Sequence, residues 1–245
     1  MSIAVQWMAG ADGLADRAAA HVEALLKSRA APALALATGA TPRGLYERLV
    51  RRGRAGALPL GGARFFNLDE FVGLPAEDSR SYAAFLKRHL LDPLEIPPSR
   101  IRLLRGDAAD LEAECRDYDA AIAAAGGLDL AVLGLGVNGH IAFNEPGEDW
   151  ARGTHVVILA ESTRRAQHLL FAAESEVPRR GLTMGIATIR AARSVLLLIM
   201  GEGKAAALAA LRAGRPDPAW PVTALLGHPA LTILADRRLE AAGAA

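Results

Sequence analysis

Four short segments carry side chains able to bind an anion or move a proton. The longest is Gly134-Leu135-Gly136-Val137-Asn138-Gly139-His140-Ile141-Ala142-Phe143-Asn144-Glu145-Pro146-Gly147. Histidine titrates near neutrality, so His140 and Glu145 can serve as an acid/base pair, with Asn138 beside them. Gly134, Gly136 and Gly139 spell G-x-G-x-x-G, the spacing of a dinucleotide-binding turn. That use needs a helix opening at the third glycine. Asn144, Pro146 and Gly147 interrupt such a helix almost at once, which excludes the dinucleotide reading. The glycines instead suit close approach of backbone to a substrate, with Gly136 as a candidate contact.

The second segment is Asn67-Leu68-Asp69-Glu70. Two carboxylates at the end of a buried strand suit proton transfer, because partial burial raises a carboxyl pKa. The same pair also suits a solvated turn. The third is Thr38-Gly39-Ala40-Thr41-Pro42. A small-residue turn entering a helix offers backbone N–H groups and two hydroxyls to a phosphate. An ordinary helix-capping turn reads the same way. The fourth is Gly201-Glu202-Gly203-Lys204. It is not a Walker A loop, since position 198 is Leu. A lysine at a helix start is electrostatically misplaced unless an anion compensates. Lys204 is therefore either a phosphate ligand or a surface lysine. The six histidines are scattered without zinc-ligand spacing, so no metal is expected.

These segments need a frame that brings them together. Apolar runs predict strands at 33–37, 63–67, 101–104, 128–133, 155–159, 194–200 and 231–234. Helical periodicity or composition predicts helices at 13–29, from Pro42 onward, 81–91, 108–125, from about Ser162, and 203–213. Gly126-Gly127 closes one of them. Alternating strands and helices imply an α/β fold: a three-layer, mostly parallel sheet with helices on both faces. Ligands of such sheets bind at the carboxyl ends of strands, where all four segments fall. No repeat, linker or boundary divides the chain, so residues 1–245 are expected to form one domain.

Composition narrows the class further. A formal net charge of +1 lacks the clustered positive charge that nucleic-acid or membrane binding needs. The most apolar run, 194–200, is far short of the ~20 residues that span a bilayer. The N-terminus has no basic flank and no long apolar stretch, so no signal peptide is expected. Cys115 is the single cysteine, which suits a reducing cytoplasm. Oligomeric state is not legible, and a homo-oligomer is compatible with the sequence.

Ala37-Thr38-Gly39-Ala40-Thr41-Pro42, Phe66-Asn67-Leu68-Asp69-Glu70-Phe71-Val72-Gly73-Leu74, Gly139 to Gly147, and Gly201-Glu202-Gly203-Lys204-Ala205 occur in this order. Together they resemble the glucosamine-6-phosphate deaminase family. The resemblance implies a Rossmann-like deaminase/isomerase fold acting on a small-molecule amino-sugar phosphate, with no cofactor. The implied reaction opens the sugar ring, isomerises aldose to ketose and releases ammonia. By the same resemblance, Asp69 moves the proton between C2 and C1. His140 assists ring opening with Glu145 in support, and Lys204 and the Thr38–Thr41 turn bind phosphate. Many members carry Asp where this chain has Asn138. Asn can orient His140 but supplies no charge, so a smaller rise of the histidine pKa is expected. The family's phosphate-gripping arginine is expected near 162–171. Arg164 and Arg165 are available, with Arg164 taken as the candidate, because the usual position holds His168 or Leu169. The competing readings are a galactosamine-6-phosphate deaminase/isomerase, a 6-phosphogluconolactonase and a non-catalytic sugar-phosphate sensor.

Overall fold

The computed structural model describes residues 3–167 and 170–240. The chain begins with β1 (Gln6–Met8), α1 (Gly10–Ser28), β2 (Ala33–Leu36), α2 (Ala40–Arg54), β3 (Arg64–Asn67) and β4 (Asp69–Phe71). Then come α3 (Tyr82–Leu86), running into a π-helical turn at Lys87–Leu91, β5 (Ile101–Arg102), α4 (Leu111–Ala124) and β6 (Leu130–Gly134). The rest comprises β7 (His155–Ile158), α5 (Glu161–Gln167), β8 (Arg180–Thr183), α6 (Ile186–Arg190), β9 (Val195–Ile199), α7 (Ala205–Arg212) and β10 (Leu231–Asp236). No described helix is long and apolar enough to cross a membrane.

Seven strands pair in the order β1-β10-β9-β6-β2-β3-β5, and every pairing is parallel. Side chains alternate across a strand, so a sheet covered on both faces needs strands that are apolar throughout. Ala35, Leu133 and Leu197 face Tyr118 of α4, Ile189 of α6 and Leu208 of α7. Leu34, Leu36, Val132 and Leu196 face the other way, against Leu14 and Val22 of α1 and Leu45 of α2. Each fully buried leucine contributes roughly 1.5–3 kcal/mol relative to exposure. The two apolar clusters make the expected three layers.

A second sheet was not expected. It is antiparallel, in the order β4-β8-β7. The predicted strand at 155–159 is β7, and it joins this sheet rather than the parallel one. Leu68 separates β3 from β4, and the chain leaves the main sheet there. The segment read as a strand-end turn, Asp69-Glu70, is therefore itself a strand, paired with Thr183 and Leu182 of β8. Thr183 also ties down the Gly134–Gly147 loop. Its Oγ1 accepts the Phe143 N–H at 3.1 Å, and Asn144 donates to the Met184 carbonyl at 2.9 Å. The small sheet thus braces Asp69 and the histidine loop against one another.

Candidate active site

From β2 the chain runs outward through β3 to β5, then returns beside β2 as β6 and continues the other way through β9 and β10. That reversal opens a crevice between the carboxyl ends of β2 and β6, the place where open α/β sheets bind ligands. A cavity of about 160 Å³ lies there. Its lining includes Thr38, Ala40 and Thr41 after β2, Asp69 after β3, Gly136 and His140 after β6, and Lys204 after β9.

The β6 loop holds His140 through its backbone. The Gly136 N–H donates to the His140 carbonyl at 2.8 Å, closing a tight turn. A Cβ on Gly136 would come within 2.4 Å of the imidazole, so only glycine lets the ring lie against this backbone. Among the described residues no hydrogen bond joins Asn138 to the ring. Its Oδ1 accepts the His140 backbone N–H at 3.2 Å, and its Nδ2 donates to Glu145 Oε2 at 2.8 Å. It orients Glu145 instead. Glu145 Oε1 accepts the Ala160 N–H at 3.0 Å, and Oε2 stands 3.7 Å from His140 Nδ1. That gap is too long for a hydrogen bond but short enough for charge to act. Burial pushes the His140 pKa down and Glu145 pulls it up, while Lys204 adds to the downward push. The net direction is below the ordinary imidazole range, so the ring is neutral at pH 7. The rise expected from the sequence is outweighed by burial.

Asp69 is 7% exposed and faces the cavity. Among the described residues no hydrogen bond reaches its carboxylate. Burial, with the Glu70 charge beside it, raises its pKa well above the usual aspartate value. The neighbouring acid has a different task. Glu70 accepts backbone N–H groups from Phe71 at 2.9 Å, Tyr82 at 3.0 Å and Ala83 at 2.8 Å. It fastens the start of α3 to β4. Burial lifts it to about 7, against the pull of those donors. Tyr82, which also lines the cavity, packs between Phe71 and Phe143, at ring centroid distances of 4.9 and 5.6 Å. Periodicity did not mark this tyrosine as part of the site.

The anion-binding candidates divide. Gly39 caps α2 with φ of 100°, which L side chains rarely adopt, and no side chain caps the helix. The first N–H groups of α2 are left for a ligand beside the Thr38 and Thr41 hydroxyls. Lys204 is half-buried, and burial lowers its pKa. It has no ion-pair partner among the described residues. Arg164 does not line the cavity. Its guanidinium donates to the Val177 carbonyl at 3.3 Å and the Glu174 carbonyl at 3.1 Å, tying α5 to the segment before β8. The structure thus does not bring Arg164, the phosphate ligand expected from the sequence, together with the cavity-lining residues. His168 and Leu169 lie outside the described residues. Gln167, at the cavity wall, was not singled out by the sequence.

Known proteins resemble this chain in sequence and fold. Residues 8–233 match the family model of glucosamine-6-phosphate isomerases and 6-phosphogluconolactonases. The glucosamine-6-phosphate deaminase of Shouchella clausii (strain KSM-K16) is 45% identical over 203 residues, 83% of this chain and 82% of that one. The glucosamine-6-phosphate deaminase of Oceanobacillus iheyensis is 43% identical over 220 residues, covering 90% and 88%. A solved monomeric glucosamine-6-phosphate deaminase superposes with a TM-score of 0.95 at 38% identity, covering 98% of this chain and 100% of that one. The 6-phosphogluconolactonase of Thermotoga maritima shares the fold at a TM-score of 0.73 and 21% identity, covering 96% and 98%. The chain belongs to the glucosamine-6-phosphate isomerase and 6-phosphogluconolactonase family.

Proposed function

We propose that this protein is a glucosamine-6-phosphate deaminase, converting glucosamine 6-phosphate and water to fructose 6-phosphate and ammonia. One observation carries the reading: a buried carboxylate, Asp69, a neutral imidazole, His140, and the half-buried ammonium of Lys204 converge on one cavity. The relatives at 43–45% identity are named for the same reaction.

In this reading Lys204, Thr38, Thr41 and the first N–H groups of α2 hold the phosphate. The Gly136 backbone meets the sugar. His140 takes the O1 proton on Nε2, the C1–O5 bond breaks, and the proton passes to O5. That step needs a neutral imidazole, which burial supplies. Ionised Asp69 then removes the C2 proton and returns it to C1, while one proton of the substrate's ammonium passes to O1. The aldehyde carbon falls to the alcohol level as C2 rises to the imine level, so the proton transfer is redox-neutral. Water adds to C2, and ammonia leaves. Burial makes Asp69 a stronger base than a solvated aspartate, and the substrate's own ammonium favours its ionised form.

The test is ammonia release from glucosamine 6-phosphate and galactosamine 6-phosphate, run beside hydrolysis of 6-phosphogluconolactone. Release from the gluco epimer is expected. Preference for the galacto epimer would move the substrate assignment. Lactone hydrolysis with no ammonia from either sugar would overturn the deaminase reading.

A further inference from the structure

We infer that Thr163 is a positioning residue for His140: its hydroxyl accepts the Nδ1 proton and leaves Nε2 bare toward the cavity. The inference rests on the ring-opening role proposed for His140 and names the group that aims it.

Thr163 sits in α5, with its side chain wholly buried. Its Oγ1 lies 3.1 Å from His140 Nδ1, and this is the hydrogen bond to the ring among the described residues. The carboxylate that would ordinarily take that place is engaged elsewhere. Glu145 is held by the Asn138 amide and the Ala160 N–H, and its Oε2 stops 3.7 Å short of Nδ1. The imidazole also lies against Gly136, where an added Cβ would come within 2.4 Å of Cγ, Nδ1 and Cε1. A glycine backbone and a hydroxyl both hold the ring at its Nδ1 edge.

A hydroxyl donates or accepts equally well, so the surroundings decide which tautomer it serves. Two charged groups face the imidazole, Glu145 from its own loop and Lys204 from beyond β9. Glu145 is the one on the Nδ1 side. A negative charge there favours a proton on Nδ1, and the hydroxyl then accepts it. Nε2 keeps its lone pair, as a base for O1 requires. The cavity wall at Ala166 and Gln167 belongs to α5 too, so one short helix both bounds the substrate and aims the histidine.

The test is the ring ¹⁵N spectrum of His140 in the ligand-free protein, read across pH for the parent, Thr163→Val and Thr163→Ser. The parent is expected to carry its proton on Nδ1. Thr163→Val should shift the proton toward Nε2 and lower the His140 pKa, since the imidazolium loses an acceptor. Its kcat should fall about fivefold, the worth of one hydrogen bond of ~1 kcal/mol, with KM within about twofold. Thr163→Ser should restore the parental spectrum and rate. A parent protonated on Nε2 would overturn the inference, even if the valine variant failed to fold. So would an unchanged tautomer and titration in a folded Thr163→Val. The spectrum needs no substrate, so absent ammonia release would sink the deaminase reading without deciding this one.

Discussion

Replacing Asp69 with Asn should abolish turnover and stabilise the fold at the same time. The amide is nearly isosteric and cannot accept a proton from carbon. A positioned general base accelerates its step by roughly 10²–10⁴-fold, or about 2.7–5.5 kcal/mol of barrier. Ammonia release and C2 proton exchange should both fall by that factor, with KM within about threefold, because the phosphate contacts lie elsewhere. Stability should move the other way. Asp69 is buried with no hydrogen bond to its carboxylate among the described residues, and its folded pKa is raised. A carboxyl with a raised folded pKa stabilises the fold fully below its unfolded pKa. That contribution is lost as pH rises through the folded pKa. Above the unfolded carboxyl value the parent therefore carries a cost, either of holding a proton or of bearing a charge in a site that prefers none, and the amide carries neither. Asp69→Asn should melt higher at pH 7, by about 2–4 °C for each kcal/mol gained in a chain of this size. The gain should vanish below about pH 3.8, the unfolded carboxyl value. Exchange of C2 hydrogen into D₂O, followed by NMR, measures the first effect, and thermal melts at two pH values measure the second. Near-parental exchange in Asp69→Asn would refute the assignment of the base. A lower melting temperature at pH 7 would refute the account of its burial.

The acid limb of kcat/KM should lie well above the usual aspartate range, since Asp69 must be ionised to act and activity is lost as pH falls through its raised pKa. Glu70→Gln should shift that limb to lower pH by removing the neighbouring charge, and should cost about 1–3 kcal/mol in denaturant melts because three backbone donors lose their carboxylate. Lys204→Met should raise KM about 10–100-fold, the worth of a charged hydrogen bond, measured by ammonia release at fixed ionic strength. The same change should raise the His140 pKa, because Lys204 now pushes it down. Gly136→Ala should leave secondary structure intact by circular dichroism and lower kcat at least tenfold, because its Cβ displaces the imidazole.

The parallel sheet was legible because its central strands are continuous apolar runs. Leu130–Gly134 and Val195–Ile199 bury both faces and show no alternation for a solvent side to imprint. The small sheet left no such mark. β4 is three residues, two of them acidic, and β8 opens on an exposed arginine after Arg179. Their pairing is set by tertiary contact with Thr183 and by the chain's departure at Leu68, not by local preference. The cavity was legible at Thr38, Thr41, Asp69, Gly136, His140 and Lys204, since each follows a strand end and topology brings strand ends together. Partners across the chain were not. Thr163 meets His140 from 23 residues away, and no spacing rule links them. Arg164 shows the converse: charge type marked it, but backbone carbonyls hold it outside the cavity.

The central claim is that Asp69 and His140 act on one amino-sugar phosphate to give a ketose and ammonia. The direct measurement follows glucosamine 6-phosphate with the purified protein by ¹³C NMR, with ammonia assayed in the same samples. The account predicts fructose 6-phosphate and ammonia appearing in equal amounts, both abolished by Asp69→Asn. Unchanged substrate, or ammonia without the ketose phosphate, would contradict it.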